Sequence, residues 1–139
     1  MATRYLLDTN VISETRKTRA DSGVIAFLSA ADAMGLFLSV LTLGELRRGV
    51  AVKRRSDPVA ASQLGAWVDG IETSFADRVL PVDMTTATRW GEFSAGRSLP
   101  AIDSLIAATA HSHGLTLVTR NTRDVESAGV PLLDPWRTR

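Results

Sequence analysis

Short apolar, β-rich runs alternate along this chain with longer segments of helical pattern. RYLL (4–7), LFLSV (36–40), RVLPV (78–82) and LTLVT (115–119) read as strands, and PLLD (131–134) as a short fifth. Pro81 removes an amide donor, which assigns the third run to a sheet edge or a bulge. Helical patterns fill the intervals at 22–31, 42–54, 58–75, 85–96 and 100–113. Asp21 and Ser22 suit the first as caps, Asp57-Pro58 opens the third, and Gly114 closes the last. Thr42 with Glu45 three places on has the spacing of a capping box. Strands separated by helices of this length predict an α/β fold, with a parallel sheet of four to five strands covered by helices on both faces.

At 139 residues, with no linker, repeat or low-complexity segment, the chain reads as a single domain, 1–139. It has no cysteine, which excludes disulfides and Cys-based zinc sites. No signal peptide or membrane-length apolar run is visible, so the expectation is a soluble, cytoplasmic protein. Sixteen basic against fifteen acidic residues is too even to argue nucleic-acid binding from composition. Their distribution is less even. Residues 47–55, RRGVAVKRR, hold five cations in nine positions, and Arg16, Lys17 and Arg19 sit together. A solvated helix end would look the same.

Ligands of open parallel sheets bind beyond the carboxyl ends of the strands. Asp8 ends the first strand there. The fourth strand runs into Thr119, Asn121 and Asp124, which is also what a plain loop of turn-forming residues would contain. Asp103 lies early in LPAIDSLIAATAHSHG, on the same stripe as Ile106, Ala107 and Ala110. A carboxylate on that stripe must reach the helix's open end, meet a cation or be protonated. The alternative is a first-turn Asp placed for the helix dipole. Glu45 likewise has two readings, a cap residue with Arg48 at i+3, or a fourth acid on the rim.

Gathered together, these acids repel one another unless something positive sits between them. Oxygen donors without cysteine or a facing pair of histidines favour Mg²⁺ or Mn²⁺ over zinc. His111 and His113 are two apart and do not share a helix face. Trp67, Trp90 and Trp136 read as packing residues. Other chemistries lack their residues. A haloacid-dehalogenase-type site needs a second Asp where Asn10 stands, and a receiver domain needs paired acids near strand one. No GxxxxGK[ST] loop or G-x-S-x-G elbow occurs.

LLDTNVISE, LSVLTLGELRRG, PAIDSLIAATAHSHGLTLVTRN and GVPLLDPW resemble, in order and spacing, the PIN-domain proteins. The likeness runs over about residues 4–136 and is strongest to VapC-type toxins of bacterial toxin–antitoxin pairs, including the FitB-like branch. It implies an α/β/α sandwich and an Mg²⁺- or Mn²⁺-dependent ribonuclease. Asp8, Glu45 and Asp103 would be its core acids and metal ligands, with Thr9 and Asn10 supporting the first motif. Many members carry an acid where this chain has Asn121; here Asp124 is the nearest, as an outer or second-metal group, with Asn121 and Thr119 orienting water or substrate. The cations of 47–55 would steer RNA or meet an acidic antitoxin segment. The resemblance further implies a homodimer, a larger complex with the cognate antitoxin, and DNA contact only through that antitoxin. The competing expectation is a PIN-fold binding module that acts mainly in an antitoxin–DNA complex, with little nuclease turnover.

Overall fold

The computed structural model describes residues 2–137. Tyr5–Leu7 form β1, and Asp8 caps a short helix, α1, at Thr9–Glu14. Helix α2 (Ser22–Ala30) starts at Asp21, whose carboxylate accepts the amides of Gly23 and Val24. A 3-10 turn at Ala33–Gly35 then leads into β2 (Leu36–Ser39). Two long helices follow, α3 (Val40–Ser56) and α4 (Pro58–Ser74), with Asp57 ending the first and capping the second. After β3 (Val79–Leu80) come α5 (Met84–Ser94) and α6 (Ala101–Ser112). The chain finishes with β4 (Thr116–Val118), α7 (Thr122–Val125) and β5 (Leu132–Leu133).

The five strands form one sheet in the order β3-β2-β1-β4-β5, and every pairing is parallel. The expected α/β/α sandwich is therefore present. Side chains of successive strand residues point to opposite faces, and β1 shows the result. Leu7 joins one core with Val11, Val24, Leu38, Leu46 and Val68, under α1 to α4. Leu6 joins the other with Ile106, Ala107, Ala110, Leu115 and Leu117, under α6. Both leucines are essentially inaccessible to solvent.

The structure departs from the sequence reading in two places and settles a third that was left open. The third strand lies at a sheet edge, one of the two places expected for it, but spans only two residues and stops before the proline. Helix α3 begins at Val40 rather than after Thr42, because buried Ser39 turns strand directly into helix and accepts the Leu41 amide. Thr122–Val125 form helix α7, where the sequence left a plain loop open as an alternative.

Helix α6 ends as its terminal glycine predicted. Gly114 has φ +65°, the Leu115 amide donates to the Ala110 carbonyl at 2.9 Å, and the Gly114 amide donates to His111 at 3.3 Å. This paired closure redirects the chain straight into β4. A methyl at position 114 would meet no atom within 4 Å, so only backbone strain opposes it. Gly114→Ala is expected to lower unfolding free energy by about 1–2 kcal/mol, with an unchanged dependence on denaturant concentration in urea titrations. No loss of stability would mean the left-handed turn is not needed to leave the helix.

Candidate active site

In the strand order, β1 lies between β2 and β4, so the connections leave it in opposite directions and open a crevice at its carboxyl end. Asp8 stands in that crevice. Its amide donates to the Val118 carbonyl at 2.9 Å, which ties it to the end of β4. Its side chain is buried, and the surroundings supply donors. Oδ1 accepts the Thr9 amide at 2.8 Å, while Oδ2 accepts the Thr119 hydroxyl at 2.7 Å and the Asn10 amide group at 3.2 Å. Burial raises the Asp8 pKa, the Thr119 and Thr9 bonds partly offset it, and the charge of Glu45 adds to the rise.

Asn10 and Thr119 lock the two strand ends together. The Asn10 side chain also donates to Thr119 Oγ1 at 3.3 Å and accepts the Arg120 amide at 3.4 Å. Thr119 is buried and takes the Asn121 amide at 3.0 Å. Asn121 therefore contributes its backbone to this network, while the residue itself is exposed and its side chain does not cap α7.

Glu45 comes from α3, and its capping-box reading is overturned. Ser39 is the cap, while Thr42 is wholly buried inside the helix. The Thr9 hydroxyl lies 2.5 Å from Glu45 Oε1 and 3.1 Å from the Thr42 hydroxyl. Thr9 is the donor in both contacts, with its hydroxyl proton directed mainly to the nearer carboxylate oxygen. Thr42 is the residue sequence reasoning misplaced. Its i, i+3 relation to Glu45 puts both on one helix face, which was the available signal. Among the described residues, no ion pair joins Glu45 to Arg48.

Asp103 occupies the first turn of α6, whose Pro100 cap offers no side-chain acceptor. Of the three options for an acid on that stripe, it takes the helix's open end and a raised pKa. Burial, then the charges of Asp8, Glu45 and Asp124, push its carboxyl up to about 6. Those repulsions have a geometric meaning. Asp124 is exposed on α7, yet it acts on the same group as Asp8 and Glu45. Four acids from distant parts of the chain face one space.

Among the described residues, no three of these acids close into a ready-made metal cage. The donors are carboxylate, hydroxyl and amide oxygens, which suit a hard cation that keeps much of its water. The basic segment is not uniform. Arg47 is engaged by Glu72 through both Nε (3.1 Å) and Nη2 (2.6 Å), and by Asp69 at 2.6 Å. Glu14, passed over in the sequence, is buried and accepts the Asp21 amide at 2.9 Å, with Lys17 at the same distance. It shapes the loop after α1. His113 closes α6 with Nδ1 3.0 Å from the Thr109 carbonyl, and Trp90 donates to Ser104 at 2.9 Å. Trp67 and Trp136 pack on the first core. No helix among the described residues is long and apolar enough to cross a membrane.

The PIN domain family model matches residues 5–129. The VapC ribonuclease Y4jK of Sinorhizobium fredii is 36% identical over 140 residues, covering 94% of this chain and 96% of that protein. Toxin FitB of Neisseria gonorrhoeae is 36% identical over 138 residues, covering 94% of this chain and 97% of its own. The solved structure of FitAB bound to an IR36 DNA fragment matches with a TM-score of 0.87 at 33% identity, covering 97% of each chain. With the motifs, the sheet order and these likenesses in agreement, the chain belongs to the PIN-domain family, in its VapC-type, FitB-like branch.

Proposed function

We propose that this chain, as a single domain over 1–139, is a metal-dependent endoribonuclease and the toxin of a toxin–antitoxin pair. The observation that carries the reading is Asp103, a first-turn carboxylate burdened by the charges of three other acids. Such a group is a poor structural choice and a good cation ligand. The names of two similar proteins, a VapC ribonuclease and a toxin, support the same reaction and role.

Asp8 and Asp103 would hold Mg²⁺ or Mn²⁺, and Glu45 would bind a second ion or take a proton from the attacking water. When bound, the ion supplies a water of lowered pKa and neutralises charge developing on the phosphate. The chain's own residues set the rest. Thr119, Thr9 and Asn10 fix the Asp8 carboxylate before any ligand arrives. Thr9 holds one oxygen of Glu45, leaving Oε2 for a water proton. Asp124, exposed at the rim, serves as the outer acid, and the neighbouring Asn121 orients water or substrate.

A structure similar to this chain, FitAB, is bound to DNA. On this reading the toxin forms a homodimer, pairs with a cognate antitoxin, and meets DNA only through it. An antitoxin cation placed among the acids would meet the electrostatic need that a metal ion meets. That same structure also favours the second reading, a binding module with little turnover. The test is RNA cleavage by protein freed of its partner. EDTA should stop it and added Mn²⁺ or Mg²⁺ should restore it; cleavage that survives EDTA, or never appears, rejects the metal-dependent nuclease.

Asp8→Asn and Asp103→Asn are each expected to reduce cleavage by at least about a hundredfold with the fold retained. Asp103→Asn should also stabilise the metal-free protein. Its folded pKa of about 6 lies above the ordinary 3.8, so the native state binds this proton more tightly. Stability from the group is complete below that ordinary value and is lost as pH rises through about 6. Removing the charge at pH 7.5 should then restore roughly 1 kcal/mol, discounted for solvent screening, or about 4 °C in melting temperature. An Asp103→Asn protein that melts below wild type would contradict the repulsion.

The same sign governs metal affinity. Binding of Mn²⁺ measured calorimetrically should weaken as pH falls below about 6, where Asp103 takes up its proton. Affinity independent of pH between 5 and 7.5, on the order of the measurement error, would remove Asp103 from the ligand set.

A further inference from the structure

We infer that the groove along α3 beside Glu45 is the track that leads single-stranded RNA to the acid cluster, an inference resting on the ribonuclease reading above. The groove has a volume of about 660 Å³, and its lining includes Glu45, Arg48, Gly49, Val52, Lys53 and Leu64. The α3 members follow one another at intervals of three and one, a single face of a helix. From Glu45 to Ser56, the outermost α3 residue of the lining, this face runs roughly 16 Å at helical rise. That length suits a run of nucleotides rather than one phosphate.

Charge selects the occupant. Arg47 is committed to Glu72 and Asp69 on α4. Arg48 and Lys53 enter no ion pair among the described residues, and both are exposed in the groove. They are the cations left to hold phosphates, outward of the acid that works on one. Val52 is 58% exposed, and with Leu64 it offers a small apolar wall for a base or ribose. That patch is too small for the core of a stable protein interface.

Gly49 forms the floor. A Cβ there would meet nothing within 4 Å, so no packing contact demands glycine. Glycine in a helix interior weakens the helix, and here its gain is a clear channel between Arg48 and Lys53. Arg54 and Arg55 carry the same charge on the same helix but lie off the groove lining. They are matched controls.

The test measures binding of a fluorescent single-stranded RNA oligonucleotide to Asp8→Asn protein over a range of salt. Adding Arg48→Ala and Lys53→Ala should weaken binding roughly tenfold at low salt and reduce the slope of log affinity against log salt by about 1.4. Adding Arg54→Ala and Arg55→Ala should change affinity by less than about twofold. Gly49→Leu should also weaken binding while the melting temperature holds or rises, which separates a blocked channel from a damaged fold.

Equal losses from the two double variants would overturn the track, as would a Gly49→Leu protein that binds RNA normally. A loss confined to binding of the antitoxin, with RNA affinity intact, would assign the groove to a protein and overturn it as well. Cleavage by the wild-type chain is scored separately. If wild type cuts RNA and the groove variants still bind it, only the track fails; if wild type neither binds nor cuts RNA, the ribonuclease reading fails first.

Discussion

Repulsion among four carboxylates in one crevice is the constraint around which this molecule is arranged. The sheet creates it: with β1 between β2 and β4, the ends of β1 and β4 and the starts of α3 and α6 surround a common space. A polar crevice at that position is a general property of parallel sheets. Here it is filled with like charge, and Asp103 carries the largest share because it has burial and three acidic neighbours against it. Asp8 is more deeply buried but is compensated by a hydroxyl, a side-chain amide and a backbone amide.

The compensating groups are neutral, and the choice has consequences. A lysine or arginine in place of Thr119 or Asn10 would quiet the acids more effectively. It would also cancel the field that attracts a divalent cation. Hydroxyl and amide donors satisfy the buried oxygens one lone pair at a time and leave the net charge standing. Among the described residues no buried side-chain polar atom lacks a hydrogen-bond partner, so the excess charge is not a symptom of poor packing. It is electrostatic frustration in a site whose buried polar atoms are all bonded, which is where functional strain is expected.

How much was legible in the sequence differs from residue to residue, for physical reasons. The sheet was readable because buried parallel strands must be apolar runs, and Asp8 stood out because it interrupts one. Asp103 was readable because it broke an apolar stripe. Thr42 was misplaced as a cap and Glu45 left with two readings because a capping box and a pair facing a crevice use the same residues at the same spacing. Only the position of Ser39 in space, already turning strand into helix, separates them. The basic run at 47–55 was opaque for a different reason: Asp69 and Glu72, which take up Arg47, lie more than twenty positions away and are brought to it by the α3–α4 pairing.

That pairing also bears on how the site keeps its shape without a ligand. Arg47 is two residues beyond Glu45 on the same helix, and its bidentate contact with Glu72 anchors α3 to α4. An exposed ion pair contributes little to stability as a rule, but a planar guanidinium held at two points fixes orientation as well as distance. On the opposite side of Glu45, Thr9 ties α3 to the end of β1 through a hydrogen bond to the carboxylate itself. Glu45 therefore sits on a helix restrained from both directions, one by charge and one by a neutral donor. The charged restraint is placed away from the crevice, where it cannot dilute the negative field, and the neutral one is placed inside it. The same rule, cations outside and neutral hydroxyl and amide donors within, fits the side-chain hydrogen bonds of Asp8, Glu45 and Thr119 among the described residues.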